Sequence, residues 1–168
     1  MNLEIFKSMP KEELLSYLEF LLRHYRTLDS FWFLSVEKTY GRKIAEKLNE
    51  KVWAREGPLS ISALKQRYDI NEKGLSGLEK ALRLFPWTII GDHQIKRTDE
   101  EIILTVPRCP PQMARLKRGV GEYDCKDMHW REFINAAREI DPRIRILCDF
   151  APPDPHPKDM FCRWRFVI

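Results

Sequence analysis

Two runs near the C-terminal end of the chain, 143–151 and 160–168, alternate apolar and charged residues with a period of two. A β-strand sends successive side chains to opposite faces, so this spacing predicts two strands with one buried face each. Paired as an antiparallel hairpin centred near Pro155, they set Cys148 opposite Cys162, Ile146 opposite Trp164, Ile144 opposite Phe166 and Phe150 opposite Met160. That face is wholly apolar or cysteine. The other carries Arg145, Asp149, Arg163 and Arg165, with Leu147 and Val167 among them. A one-residue slip would turn the arginines inward, so the sorting predicts this register.

The first half of the chain has a different period. Leu14, Leu18, Leu21, Leu22 and Tyr25 recur at helical spacing after Ser8, Pro10, Glu12 and Glu13, which suit a helix start. Asp29 or Ser30 can cap a second helix with a stripe of Phe33, Val36, Tyr40, Ile44, Leu48 and Val52, ended by Gly57-Pro58. Two short helices, 61–68 and 72–84, follow around Asp69-Ile70-Asn71. Pro86 marks the change to β structure. Runs at 87–95 and 101–106 flank the polar Arg97-Thr98-Asp99-Glu100 and read as a hairpin. A short helix over 112–118 and a longer one over 123–139 then separate the two hairpins. The expected fold is α+β: a helical N-terminal half packed on a roughly four-stranded antiparallel sheet, with two helices between its hairpins. Residues 1–85 form the helical region and 86–168 the sheet-bearing region, together one compact unit.

Composition narrows the functional classes. No apolar run approaches the ~20 residues that span a bilayer, so no membrane partner is expected. Residues 1–7 lack the basic and apolar regions of a secretory signal, so a cytoplasmic location is expected. The net charge of +4 is mildly basic and comes without a Lys/Arg tract, so a polyanionic partner is not required. Phe31, Trp32 and Phe33 cannot share one helix face. A core that wraps the helix is the expected reason, with a homodimer interface as the alternative.

All four cysteines lie in the last third, at Cys109, Cys125, Cys148 and Cys162. In a reducing compartment such a cluster points to metal or reactivity before disulfides. The proposed register makes Cys148 and Cys162 neighbours about 5 Å apart. Cys125 and His129 share a helix face one turn apart, and Cys109 follows the preceding strand. Zinc takes four N or S ligands in a tetrahedron, which these groups could supply, with His129 as substitute fourth ligand. The spacings are long and contain no C-x-x-C knuckle, so buried core thiols and a Cys125–His129 nucleophile pair stay open beside zinc.

From about Cys125 onward the chain resembles the four-vinyl-reductase-type small-molecule-binding domain. Such domains carry a cysteine on each of the last two strands and another on a preceding helix. The positions of Cys125, Cys148 and Cys162 match those three. The resemblance implies a structural zinc. The family's fourth ligand falls on Arg145, so Cys109 or His129 would have to replace it. The stretches Phe31-Trp32-Phe33 to Gly41, Lys51-Val52-Trp53, Glu122-Tyr123-Asp124-Cys125 and the two terminal cysteine strands also resemble an uncharacterised prokaryotic cytosolic family related to the L-2-amino-thiazoline-4-carboxylate hydrolase-like proteins.

Three functional readings follow. The first is a sensor-like or small-molecule-binding protein with a structural zinc on Cys109, Cys125, Cys148 and Cys162, its unknown ligand lying between helix and sheet. The second is a C–N hydrolase of a cyclic amidine or similar substrate, using Cys125 with His129 or a zinc-activated water. The third is nucleic-acid binding through a winged-helix order over 61–106, with Lys73, Lys80 and Arg83 exposed on the reading helix. That helix also carries Glu72 and Glu79, and nucleic acid is not expected.

Overall fold

A computed structural model describes residues 1–168. The elements are α1 (Glu4–Lys7), α2 (Lys11–Tyr40), α3 (Arg42–Arg67), α4 (Gly74–Leu84), α5 (Pro86–Ile90), β1 (Gln94–Arg97), β2 (Glu101–Val106), α6 (Pro110–Lys117), α7 (Lys126–Arg138), β3 (Arg145–Phe150) and β4 (Cys162–Val167). The fold is α+β. One four-stranded antiparallel sheet, in the order β1-β2-β4-β3, is covered by α7, and α3 packs on α7 in turn. One cluster of buried residues runs from Trp53 on α3 through Leu78 and Phe133 to Phe166 on β4.

The N-terminal helices are fewer and longer than the spacing predicts. Ser30 does not cap a helix; it sits inside α2 and donates its hydroxyl to the Arg26 carbonyl at 2.8 Å. The break falls instead at Gly41, whose φ of +86° only glycine adopts without strain. Gly57-Pro58 does not end a helix either, because α3 continues to Arg67. Proline at position 58 leaves the Ala54 carbonyl without its helical donor. The Asn135 side-chain amide on α7 donates to that carbonyl at 2.8 Å. Gly57 serves the same contact, since a Cβ there would lie 2.9 Å from Glu132 Cγ and 3.3 Å from its carbonyl oxygen. The separate helix expected at 61–68 is thus the last part of α3, and the winged-helix order loses its first short helix.

Proline also explains α5. Residues 87–90 were expected in a strand, yet Pro86 occupies the first turn of a short helix, where its fixed φ and missing N–H carry no cost. Only Gln94–Arg97 remain as β1. The hairpin to β2 is present as expected. The Thr98 hydroxyl accepts the backbone N–H of Glu101 at 3.1 Å and of Glu100 at 3.3 Å, closing the turn.

The terminal hairpin keeps its expected faces but not its expected register. Ile146 pairs with Phe166 and Cys148 with Trp164, while Cys162 lies opposite Val106 of β2. The pairing is two residues away from the expected one, with an irregularity between Cys148 and Phe150. A two-residue slip leaves every side chain on its original face, so alternation cannot distinguish the two registers. The connection decides. Its Pro152 carbonyl accepts the N–H groups of Cys125 and Lys126 at 3.1 and 3.0 Å, and Phe161 N–H donates to Val106 at 2.9 Å. Arg163 and Arg165 remain outward and pair with Asp149 at 3.1 and 2.8 Å.

Candidate functional site: an aromatic cavity with an acidic mouth

Between α7 and the sheet lies a cavity of about 70 Å³, closed on its other sides by α3, α6 and the α5–β1 connection. Most of its wall is apolar, including Trp53, Trp87, Tyr123, Phe133, Phe161 and Trp164. Its polar lining consists of Asp29, Asn49, His93, Gln112, His129 and Glu132, and no lysine or arginine faces it. At Asp29, Asn49 and Trp53 it adjoins an open groove of about 840 Å³ between α2 and α3.

Three cysteines line this cavity: Cys109 just before α6, Cys125 just before α7, and Cys162 at the start of β4. Gln112, fully buried, fixes the segment carrying Cys125. Its amide donates to the Tyr123 carbonyl at 2.9 Å and to Cys125 Sγ at 3.4 Å, and its oxygen accepts Tyr123 N–H at 3.1 Å. Burial pushes Cys109 up to about 11. Burial, and then the neighbouring Cys109 and Cys162, raise Cys125 well above the ordinary thiol range. Burial likewise raises Cys162. Cys148 does not line the cavity; burial pushes it up to about 11, near the charges of Lys126 and Asp154. All four thiols are free. No three or more His, Cys, Asp or Glu side chains are arranged so as to hold a metal ion. The structure therefore brings together three of the four expected cysteines and leaves Cys148 apart.

His129 lines the cavity with Cys125, but its Nδ1 pairs with Glu132 Oε2 at 2.8 Å. Glu132 is 2% exposed. Burial, with the nearby His129, pushes His93 down to about 4, so it is neutral at physiological pH. Asp29 at the mouth and Glu56 in the adjoining groove form no ion pair, while Lys51 and Arg55 line the same groove. Burial pushes Asp29 up to about 6. Burial, and to a lesser degree Glu132, raise Glu56, whose Oε2 is buried without a hydrogen-bond partner. The Ser60 hydroxyl donates to the other oxygen of Glu56. Aromatic rings stand beside these acids: Trp87 lies 6.1 Å from Tyr25 and 5.8 Å from Trp53, centroid to centroid. Burial, followed by the charge of Glu56, raises the Tyr25 hydroxyl.

Sequence reasoning did not find Asp29, Glu56, His93 or Glu132. Each lies on a different element, and no local motif joins them. In sequence Asp29 is one of two possible helix caps, and the other three carry no signal beyond being titratable residues in an expected helix or strand. The nucleic-acid candidates are not clustered as a free basic face. Lys80 pairs with Glu72, Arg83 with Glu79 at 2.8 Å, and Lys73 precedes α4.

The chain belongs to a family of unknown function, DUF6125, whose model matches residues 7–168. No curated protein and no solved structure matches it. No helix is long and apolar enough to cross a membrane.

Proposed function

We propose that this chain is a small-molecule-binding protein whose ligand carries an amine or amidine cation on a small apolar body. The observation that carries this reading is the mouth of the cavity. Asp29 at the mouth and Glu56 in the adjoining groove are partly buried carboxyls that form no ion pair, even though Lys51 and Arg55 also line that groove, and the rings of Tyr25, Trp53 and Trp87 stand beside them. A buried carboxylate without a partner is costly, and a ligand cation would supply one. Aromatic faces add attraction for the same charge, worth about 0.5–2 kcal/mol per contact. The apolar wall beyond would take the ligand body.

The pH dependence has a definite sign. Asp29 titrates at about 6 in the free protein, so it is mostly protonated at pH 5 and mostly ionised at pH 7.5. A cation should therefore bind about tenfold more tightly at pH 7.5 than at pH 5. Benzamidine, with neutral benzamide as control, tests this through the fluorescence of the cavity tryptophans. The expected result is a pH-dependent response to benzamidine that disappears in Asp29→Asn. Equal responses to both compounds would point to an apolar ligand instead, and no response to either would end the proposal.

A structural zinc is a second reading. Cys109, Cys125 and Cys162 line one cavity with His129 on the same wall, but as placed they do not converge on one point, so zinc would require them to move together. Zinc there would displace thiol protons and tie the β2–α6 junction, the start of α7 and β4 together. A C–N hydrolase of a cyclic amidine would use the same acidic mouth, with His129 and Glu132 in position for proton transfer. A Cys125 nucleophile would first have to lose a proton that burial holds in place. One measurement separates these readings: metal content, with iodoacetamide labelling before and after chelation. One zinc per chain and thiols released only by a chelator is the outcome the zinc reading expects. Without metal, Cys125 and Cys162 should stay unlabelled until the protein is denatured. A single fast-labelling Cys125 would instead establish a reactive thiol.

A further inference from the structure

Helix α2 is 30 residues long, about 45 Å, and buries none of them. Phe33 turns inward and meets Tyr123 with ring centroids 5.1 Å apart, but Phe31 and Trp32 are 63% and 67% exposed. The core does not wrap this helix. The whole chain exposes 11,041 Å². A folded monomer of 20.1 kDa is expected to expose about 8,700 Å². The excess, about 2,300 Å², matches one side of a large permanent interface.

One row of the apolar residues of α2 has a spacing that fits a second copy of the same helix, while the exposed Leu15, Tyr17, Phe20 and Phe31 lie off that row. Leu14, Leu18, Leu21, Tyr25, Leu28 and Trp32 are spaced 4, 3, 4, 3 and 4 residues apart, the seam of a helix that packs against another helix; five of them are exposed, and Tyr25 is part-buried against Trp87. The spacing reads the same in both directions about Arg23. In an antiparallel pair of α2 helices, Leu14 falls opposite Trp32, Leu18 opposite Leu28 and Leu21 opposite Tyr25. A surface complementary to itself in reverse is what a two-fold dimer requires. We propose that the chain self-associates as a two-fold dimer through antiparallel packing of α2 on α2 of a second copy. The partner helix lies along the seam beside the α2–α3 groove, next to Asp29 and the mouth of the cavity. The proposal rests on this row of α2, which shares Tyr25 with the mouth of the cavity, and does not depend on the nature of the ligand.

Sedimentation equilibrium of the full chain, from about 1 to 100 μM, tests it. The wild type is expected to sediment at twice 20.1 kDa. Leu18→Glu with Leu21→Glu should weaken association at least about 100-fold, since both side chains are exposed in the single chain and would face apolar partners in the dimer. Should that variant fail to fold, as judged by circular dichroism, a second keeps the test decisive. Leu18→Cys with Leu28→Cys should form an interchain, reductant-sensitive crosslink under mild oxidation, and Leu18→Cys alone should not. A wild type that stays monomeric at the highest concentration would overturn the proposal. So would a dimer insensitive to the seam charges and the paired cysteines, or a monomer that binds lipid vesicles through this face. A monomeric seam variant that keeps its benzamidine response would separate this result from the ligand reading.

Discussion

Replacing Trp164 with alanine is expected to lower the free energy of unfolding by about 3–5 kcal/mol, a large fraction of the about 5–15 kcal/mol of an ordinary domain. Trp164 is 0% exposed and stands in the central strand pair, opposite Leu104 on one side and Cys148 on the other. Phe133 meets its ring edge to face at 5.2 Å, with Trp130 at 6.3 Å and His129 at 6.4 Å. Truncation removes these contacts and enlarges a cavity that already lies against the ring, while β2, β4 and α7 hold their neighbours too firmly to collapse inward. Trp164→Phe should cost far less, about 1–2 kcal/mol. The indole Nε1 has no hydrogen-bond partner, so its loss strands no polar group. Urea denaturation checks both, with the midpoint moving and the slope unchanged. An alanine variant less than about 1 kcal/mol weaker would show that the site repacks freely.

Arg115→Ala is expected to cost about 2–3 kcal/mol, the second largest effect. Arg115, with a side chain 8% exposed, is the bolt between α2 and the α6–α7 connection. Its guanidinium donates to both oxygens of Glu37 at 2.8 and 3.0 Å, and its Nε donates to the Gly121 carbonyl at 3.0 Å. Removal leaves both acceptors unpaired. Arg115→Lys should recover only part, because an ammonium cannot reproduce the two-pronged contact. The pair also sets a pH signature. The Arg115 hydrogen bond holds the Glu37 carboxyl below its ordinary range. That contribution is complete above the unfolded value of about 4.3 and is lost as pH falls through the lower folded value. The variant should therefore lose less stability than the wild type on acidification in this range. Equal acid sensitivity of the two proteins would refute the role given to Arg115.

Much of the fold is legible along the chain because it rests on local periodicity. Alternation over 145–150 and 162–167 specifies which faces of β3 and β4 are buried, and the helical stripe of 14–25 specifies the first half of α2. Local signals fail where a distant group supplies what the local residue lacks. Pro58 reads as a helix end until Asn135, from α7, satisfies the Ala54 carbonyl. Pro86 reads as a break before a strand, although the same fixed φ starts a helix. The hairpin register slipped by two residues because only the ties of Pro152 to α7 and of Phe161 to Val106 distinguish it.

The candidate site shows the same division. Its cysteines announce themselves by residue type, and three of them share one cavity. Its acids and imidazoles, Asp29, Glu56, His93 and Glu132, come from α2, α3, the approach to β1 and α7, and each is unremarked in its own segment. The sequence by itself determined the class of fold and the inward faces of the strands, because these depend on the period of one element. The tertiary structure alone decided the register, the continuity of α3 and the meeting of uncompensated acids with aromatic rings. Those depend on which distant groups satisfy a hydrogen bond or a charge, and no single segment records that.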